Sequence, residues 1–172
     1  GGRRMVVPVA GREPVTTGAR DTAPSPTVVV TGNLGYRPTV DGALRFARQA
    51  WPLVRRVVPA ARLVLAGARP ARRLRGLAGR DGIEVHGDVA SLDPFLAAAT
   101  VALAPMAQGS GVPMKVLEAW AAGVPVVAHR WAAEGLGGHA SACAVPGEDT
   151  PEAWAREVVA LLTGSLRAAD LA

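Results

Sequence analysis

The chain has 172 residues, 49% hydrophobic but only 4% aromatic, and carries 19 Lys plus Arg against 14 Asp plus Glu for a formal charge of +5. That length suits one ordinary domain with a core of Val, Leu and Ala, and no apolar run approaches the roughly 18 residues that a spanning helix needs. The single cysteine, Cys143, excludes an internal disulfide, fits a reducing compartment and reads as strand filler between Ala142 and Ala144.

Residues 3–9 read as a strand that Pro8 and the following Gly11-Arg12-Glu13-Pro14 close quickly. Residues 11–26, rich in Gly, Thr, Pro and Ser with no hydrophobic period, read as a linker. Two units are therefore expected: an inter-domain segment over 1–26 and a folded domain over 27–172. From Thr27 the pattern is regular. A strand at 27–31 and an exit loop at 32–38 precede a helix at 39–50, with Val40, Leu44 and Ala47 on one stripe. Pro52 is expected to break that helix, leaving a short continuation at 53–58. A strand at 62–66, a basic helix at 71–77 and a strand at 83–86 follow. Next come a short helix at 92–98 capped near Ser91, a strand at 101–104, a helix at 114–122 and a strand at 124–128. A sixth strand is expected at 142–145, and a closing helix at 151–162 with Asp149 or Thr150 as its cap.

Short aliphatic strands bounded by Gly and Pro are the pattern of buried parallel strands. Their alternation with helices predicts an α/β fold, a Rossmann-like doubly wound parallel sheet with right-handed crossovers. Ligands of such sheets bind beyond the carboxyl ends of the strands, here loops 32–37, 86–89, 105–111 and 129–134.

Lys115 is the only lysine; the other eighteen basic residues are arginine. It follows Gly109, Ser110 and Gly111 at the mouth of the helix predicted over 114–122. A compact ammonium beneath free backbone N–H groups at a helix N-terminus suits a phosphate. Lys115 and Glu118, three residues apart, share a helix face. Taken alone, they describe a surface ion pair equally well. Three scattered histidines and one cysteine offer no metal-ligand spacing, so no metal is expected. The densest basic run, Arg69-Pro70-Ala71-Arg72-Arg73-Leu74-Arg75, reads first as a solvated helix face, with anionic lipid as the alternative. No aromatic residues interleave with it to stack on bases, which argues against nucleic acid.

Lys115-Val-Leu-Glu118-Ala-Trp-Ala-Ala-Gly123-Val-Pro125-Val-Val-Ala128 resembles the donor-binding signature of the group 1 retaining glycosyltransferases, which have the two-domain GT-B fold. Further blocks resemble the same family in the right order. They are Thr31-Gly32-Asn33-Leu34-Gly35-Tyr36-Arg37-Pro38 with Asp41, Trp51-Pro52, Pro59-Ala-Ala-Arg-Leu-Val-Leu-Ala-Gly67, and Val85-His86-Gly87-Asp88-Val89. The resemblance covers residues 28–162 and implies one half of a GT-B fold, the C-terminal, donor-binding domain of a hexosyltransferase. It implies Lys115 and Glu118 as catalytic residues, Glu118 taking the ribose hydroxyls and Lys115 the diphosphate. Gly109, Ser110 and Gly111 would offer backbone N–H groups to the same phosphates. Gly32, Asn33 and Arg37 would close the phosphate pocket, and His86 and Gly87 would border the base. The donor would be a nucleoside-diphosphate sugar, with no cofactor. Many members carry a glutamate eight residues before the second one, where this chain has Ser110, so sugar recognition stays open. The acceptor half of the family lies N-terminal to this domain and is expected as a partner in a longer parent protein. A cytoplasmic location is expected, with peripheral membrane contact as an option. A nucleotide-sugar epimerase of the same architecture and a stand-alone nucleotide-binding module are the alternatives.

Overall fold

The computed structural model describes residues 25–108 and 113–164. The strand expected at 3–9, nearly all of the linker, and Gly109, Ser110 and Gly111 lie outside the described residues. Five strands form one parallel sheet in the order β3-β2-β1-β4-β5. They are β1 (Thr27–Asn33), β2 (Arg62–Ala68), β3 (Ile83–Gly87), β4 (Val101–Ala104) and β5 (Val126–Ala128). β1 lies at the centre, with Val28, Val29 and Val30 wholly buried. It pairs along its whole length with β2, from Thr27 opposite Arg62 to Asn33 opposite Ala68. A strand buried on both faces has no polar side to alternate with, which is why its sequence is a continuous apolar run.

Helices cover both faces. α1 (Arg37–Arg45), α2 (Trp51–Val57), α3 (Arg72–Arg75) and α7 (Pro151–Leu162) pack with Val28, Val30, Leu63 and Leu65. Of the rest, α5 (Met114–Ala121) and α6 (Arg130–Glu134) pack with Val29, Ala66 and Ala102, as does Leu96 of α4 (Asp93–Ala97). Trp51 anchors the first layer, fully buried against Phe46, with its indole N–H donating to Asp81 O at 2.8 Å. The fold is the doubly wound α/β sheet that the sequence predicts.

Three local expectations are corrected. Pro52 does not break the helix; a π-segment over Phe46–Ala50 carries the chain continuously from α1 into α2. Pro52 has no N–H for the carbonyl four residues back, and the wider turn places it in the first turn of α2, where none is needed. The sixth strand is reduced to one parallel bridge, Val127 to Ala144, because Gly137–Ala142 winds as a 3-10 helix. The loop expected at 129–134 is instead α6, capped by His129 Nδ1, which accepts from Trp131 N–H at 3.1 Å.

One close approach sets the geometry above β1 and β4. A Cβ on Gly42 of α1 would stand 2.2 Å from Pro105 O, a backbone atom that cannot swing aside. Helix propensity alone favours Gly42→Ala by about 1 kcal/mol, whereas overpacking of a tight contact costs typically 1–3 kcal/mol. Gly42→Ala should therefore destabilise the domain, read as a lower urea midpoint at unchanged slope.

Candidate functional site

β1 and β4 are neighbours in the sheet although β2 and β3 separate them in the chain. The winding reverses there, and in sheets of this kind the crevice outside those carboxyl ends is the ligand site. β1 brings Gly32, α1 brings Thr39, and α5 brings Lys115. Gly32 has φ of +109°, which a side chain would strain, and a Cβ on it would lie 3.9 Å from Lys115 Cε and 4.0 Å from Nζ. The lysine amine thus sits over bare backbone at the switch point. Asn33 Oδ1 accepts from Gly35 N–H at 3.0 Å, and Leu34 N–H donates to Ala68 O at 2.8 Å, so the loop after β1 is folded on itself and tied to β2.

The half-buried side chain of Lys115 crosses from α5 to α1. Its Nζ donates to Thr39 Oγ1 at 3.1 Å, and that hydroxyl donates to Met106 Sδ at 3.9 Å. Thr39 is 1% exposed. Burial deprives the ammonium of water and lowers its pKa from 10.5 to about 8, with the nearby Glu118 charge opposing part of the fall. Glu118 stands exposed on the same helix, at a shallow groove shared with Leu92, Asp93 and Leu96.

The other sequence-predicted residues are distributed unequally. Arg37 is exposed and pairs with Asp41 at 3.5 Å, and Asp41 also takes Arg73 of α3 at 3.5 Å. Positions 37 and 41 lie on the side of α1 opposite Thr39, so Arg37 does not join the Lys115 cluster. His86 and Gly87 end the edge strand β3, on the same rim of the sheet as Gly32 but with β2 between. His86 Nε2 is 3.1 Å from Glu84 Oε2, and its ring lies 5.0 Å from that of Phe95. The hydrogen bond from Arg62 holds the Glu84 carboxyl below its ordinary range, and burial works against it. A Cβ on Gly87 would come 2.4 Å from Pro70 Cγ, so the loops after β2 and β3 meet there.

Sequence reasoning missed Thr39, which receives Lys115, Met106, which accepts from the Thr39 hydroxyl, and a polar brace beside them. Arg45 grips Asp149 with both terminal nitrogens, at 2.6 and 2.5 Å, and Trp154 Nε1 adds a bond at 2.9 Å. His129 Nε2 faces the same carboxylate at 3.5 Å. The Arg45 bonds hold the Asp149 carboxyl far below the usual carboxylate range, against the opposing effect of burial. This brace fixes α7 and the turn after β5 against α1. The available signal for Thr39 was a threonine, a poor helix former, within a helix whose next buried positions are all apolar or glycine. Among the described residues, no group of three or more His, Cys, Asp or Glu converges as for a metal, and no helix is long and apolar enough to cross a membrane.

Residues 25–164 match the family described as glycosyl transferases group 1. No curated protein matches the chain. Among solved structures, the chain is similar to alpha,alpha-trehalose 6-phosphate synthase from Burkholderia multivorans, at TM-score 0.64 and 17% identity over 86% of this chain and 37% of that one. The pneumococcal O-GlcNAc transferase GtfA, solved with UDP and GlcNAc, aligns at TM-score 0.63 and 15% identity over 86% and 31%. A Listeria monocytogenes protein described as a UDP-N-acetylglucosamine 2-epimerase aligns at TM-score 0.59 and 19% identity over 86% and 39%. These likenesses show the fold, and the chain spans between 31% and 39% of the length of those three proteins.

The depressed pKa of Lys115 carries a stability cost with a definite sign. The unfolded chain holds the proton up to about pH 10.5 and the folded one only to about 8, so the penalty is complete below 8 and relieved between the two values. Lys115→Met should therefore raise stability at pH 7 by on the order of 1–3 kcal/mol, since each pH unit of displacement is worth about 1.36 kcal/mol before partial hydration is discounted. Chemical denaturation from pH 7 to 10.5 should show that advantage shrinking as the wild-type lysine neutralises.

Proposed function

The chain belongs to the group 1 glycosyl transferases, and from that premise we propose that it is the nucleotide-sugar-binding domain of a glycosyltransferase. The parent enzyme would move a hexose-type sugar from a nucleoside diphosphate to an acceptor held by a companion domain. The observation that carries this reading is the lone lysine ammonium over Gly32, at the switch between β1 and β4. Crevices of that kind are where open α/β sheets take nucleotides.

The chemistry asks the domain for two things. The bond from the anomeric carbon to the diphosphate oxygen breaks, and its electrons leave with the diphosphate. A new bond forms from that carbon to an acceptor hydroxyl, whose proton must be taken up. A fixed ammonium near the leaving phosphate stabilises charge as it develops and needs no reorganisation at that moment. Lys115 fills that role, with Gly109, Ser110 and Gly111 adding backbone N–H donors. The Glu118 carboxylate suits a vicinal diol, whose two hydroxyls both donate to it. Asn33 shapes the floor of the phosphate side through its turn, and His86 and Gly87 border the base farther along the rim. Retention at the anomeric carbon, a cytoplasmic location and peripheral membrane contact follow from the family resemblance and the arginine content as parts of this proposal.

Nucleotide titration checks it. UDP or GDP should bind the 172-residue chain more tightly than the matching monophosphate, and equal affinity for nucleoside and diphosphate would remove the phosphate role. Affinity should be highest between about pH 6, where the terminal phosphate gives up its last proton, and about 8, where free Lys115 starts to lose its own. Lys115→Met should abolish the alkaline decline. Glu118→Ala should weaken nucleotide binding tenfold or more, because a hydrogen bond to a charged group is worth roughly 1.5–3 kcal/mol.

A further inference from the structure

We propose that Thr39 is a positioning residue for Lys115, its hydroxyl holding the ammonium over Gly32 so that the charge faces the crevice. The proposal rests on the phosphate role of Lys115 and adds the residue that places it. With Thr27 and Thr31, Thr39 is one of three buried polar residues among those described. It is a polar side chain, 1% exposed, in a helix that a valine of the same shape would serve equally well. A threonine in a helix commonly turns its hydroxyl to a carbonyl of the preceding turn. Here the hydroxyl donates to Met106 Sδ at 3.9 Å and accepts from Lys115 Nζ at 3.1 Å. A hydroxyl has one proton and two lone pairs, so spending the proton on sulfur leaves the oxygen as an acceptor aimed at lysine.

Geometry leaves Lys115 little other support. Gly32 has no side chain to offer, and Glu118 acts on the amine through its charge. An ammonium has three donors, and Thr39 takes one, which fixes direction while leaving two for a ligand. The bond also reaches across the sheet switch, from α5 to α1, between residues 76 positions apart. Met106 belongs to the chain leaving β4, so the same hydroxyl joins three segments at the crevice.

Because Lys115 is the only lysine, selectively 13C-labelled lysine gives a single side-chain signal, and its pH titration reads this site without any ligand. Wild type should titrate near 8. Thr39→Val should lower that midpoint by about one pH unit, because the hydrogen bond that the hydroxyl accepts favours the charged form of the lysine. It should also weaken UDP binding about tenfold at pH 7.5, while Thr39→Ser restores both values. A valine variant that folds, keeps the wild-type midpoint and binds UDP as before overturns the positioning role. If valine fails to fold, Thr39→Ala carries the test: a lowered midpoint in alanine supports the role, and a wild-type midpoint there overturns it. Failure of the phosphate reading looks different. In that case UDP binding is absent or indifferent to Lys115→Met, while the lysine midpoint still responds to Thr39→Val.

Discussion

The chain winds outward from β1 through β2 to β3 and then returns, at β4, on the other side of β1. No crossover can cover the ends of both β1 and β4, because the helices that follow them lie on opposite faces of the sheet. The gap between those two carboxyl ends is therefore built by connectivity before any side chain is chosen. The sequence then furnishes the gap. Gly42 lets α1 approach the backbone at Pro105, Gly32 keeps the floor free of side chains, and Lys115 reaches in from α5.

An ammonium in such a gap is under opposed demands. Water is the best partner for a positive charge, and partial burial removes much of it. The lysine is consequently easier to deprotonate than an exposed one. The same poverty of solvent strengthens its attraction for an arriving anion. Cost to the empty domain and the benefit proposed for the occupied one would have a single origin, as at sites that hold charge in advance of need. The Arg45–Asp149 brace stands in contrast. Its charges are mutually satisfied and half exposed, and they hold two helices in place without reserving anything for a ligand.

Much of this was legible in the sequence because it is local. Aliphatic runs at 27–31, 62–66 and 101–104 announce strands, and the lone lysine with its flanking blocks announces the family. What could not be read depends on partners far apart in the chain. Thr39 becomes meaningful only when Lys115 arrives from α5, and Arg45 only when Asp149 does. Arg37 beside the expected phosphate loop was a fair candidate, but a helix surface has two sides, and the Asp41 and Arg73 charges settle which one it occupies. His129 looked like part of a loop because a histidine is an uncommon cap, and its cap function depends on which ring nitrogen carries the proton.

The π-segment over Phe46–Ala50 has a consequence for the register of everything after it. A turn of that kind contains one residue more than an α-helical turn, so the helix from Arg37 to Val57 behaves like an ordinary helix carrying a one-residue insertion. Side chains beyond it are advanced by about 100° around the axis relative to an uninterrupted helix. Trp51, wholly buried, lies beyond that phase change, and Thr39 and Gly42 lie before it. Two docking surfaces with different orientations thus share one rod. A deletion anywhere within 46–50 would leave a helix more regular than the native one and aim one of those surfaces wrongly.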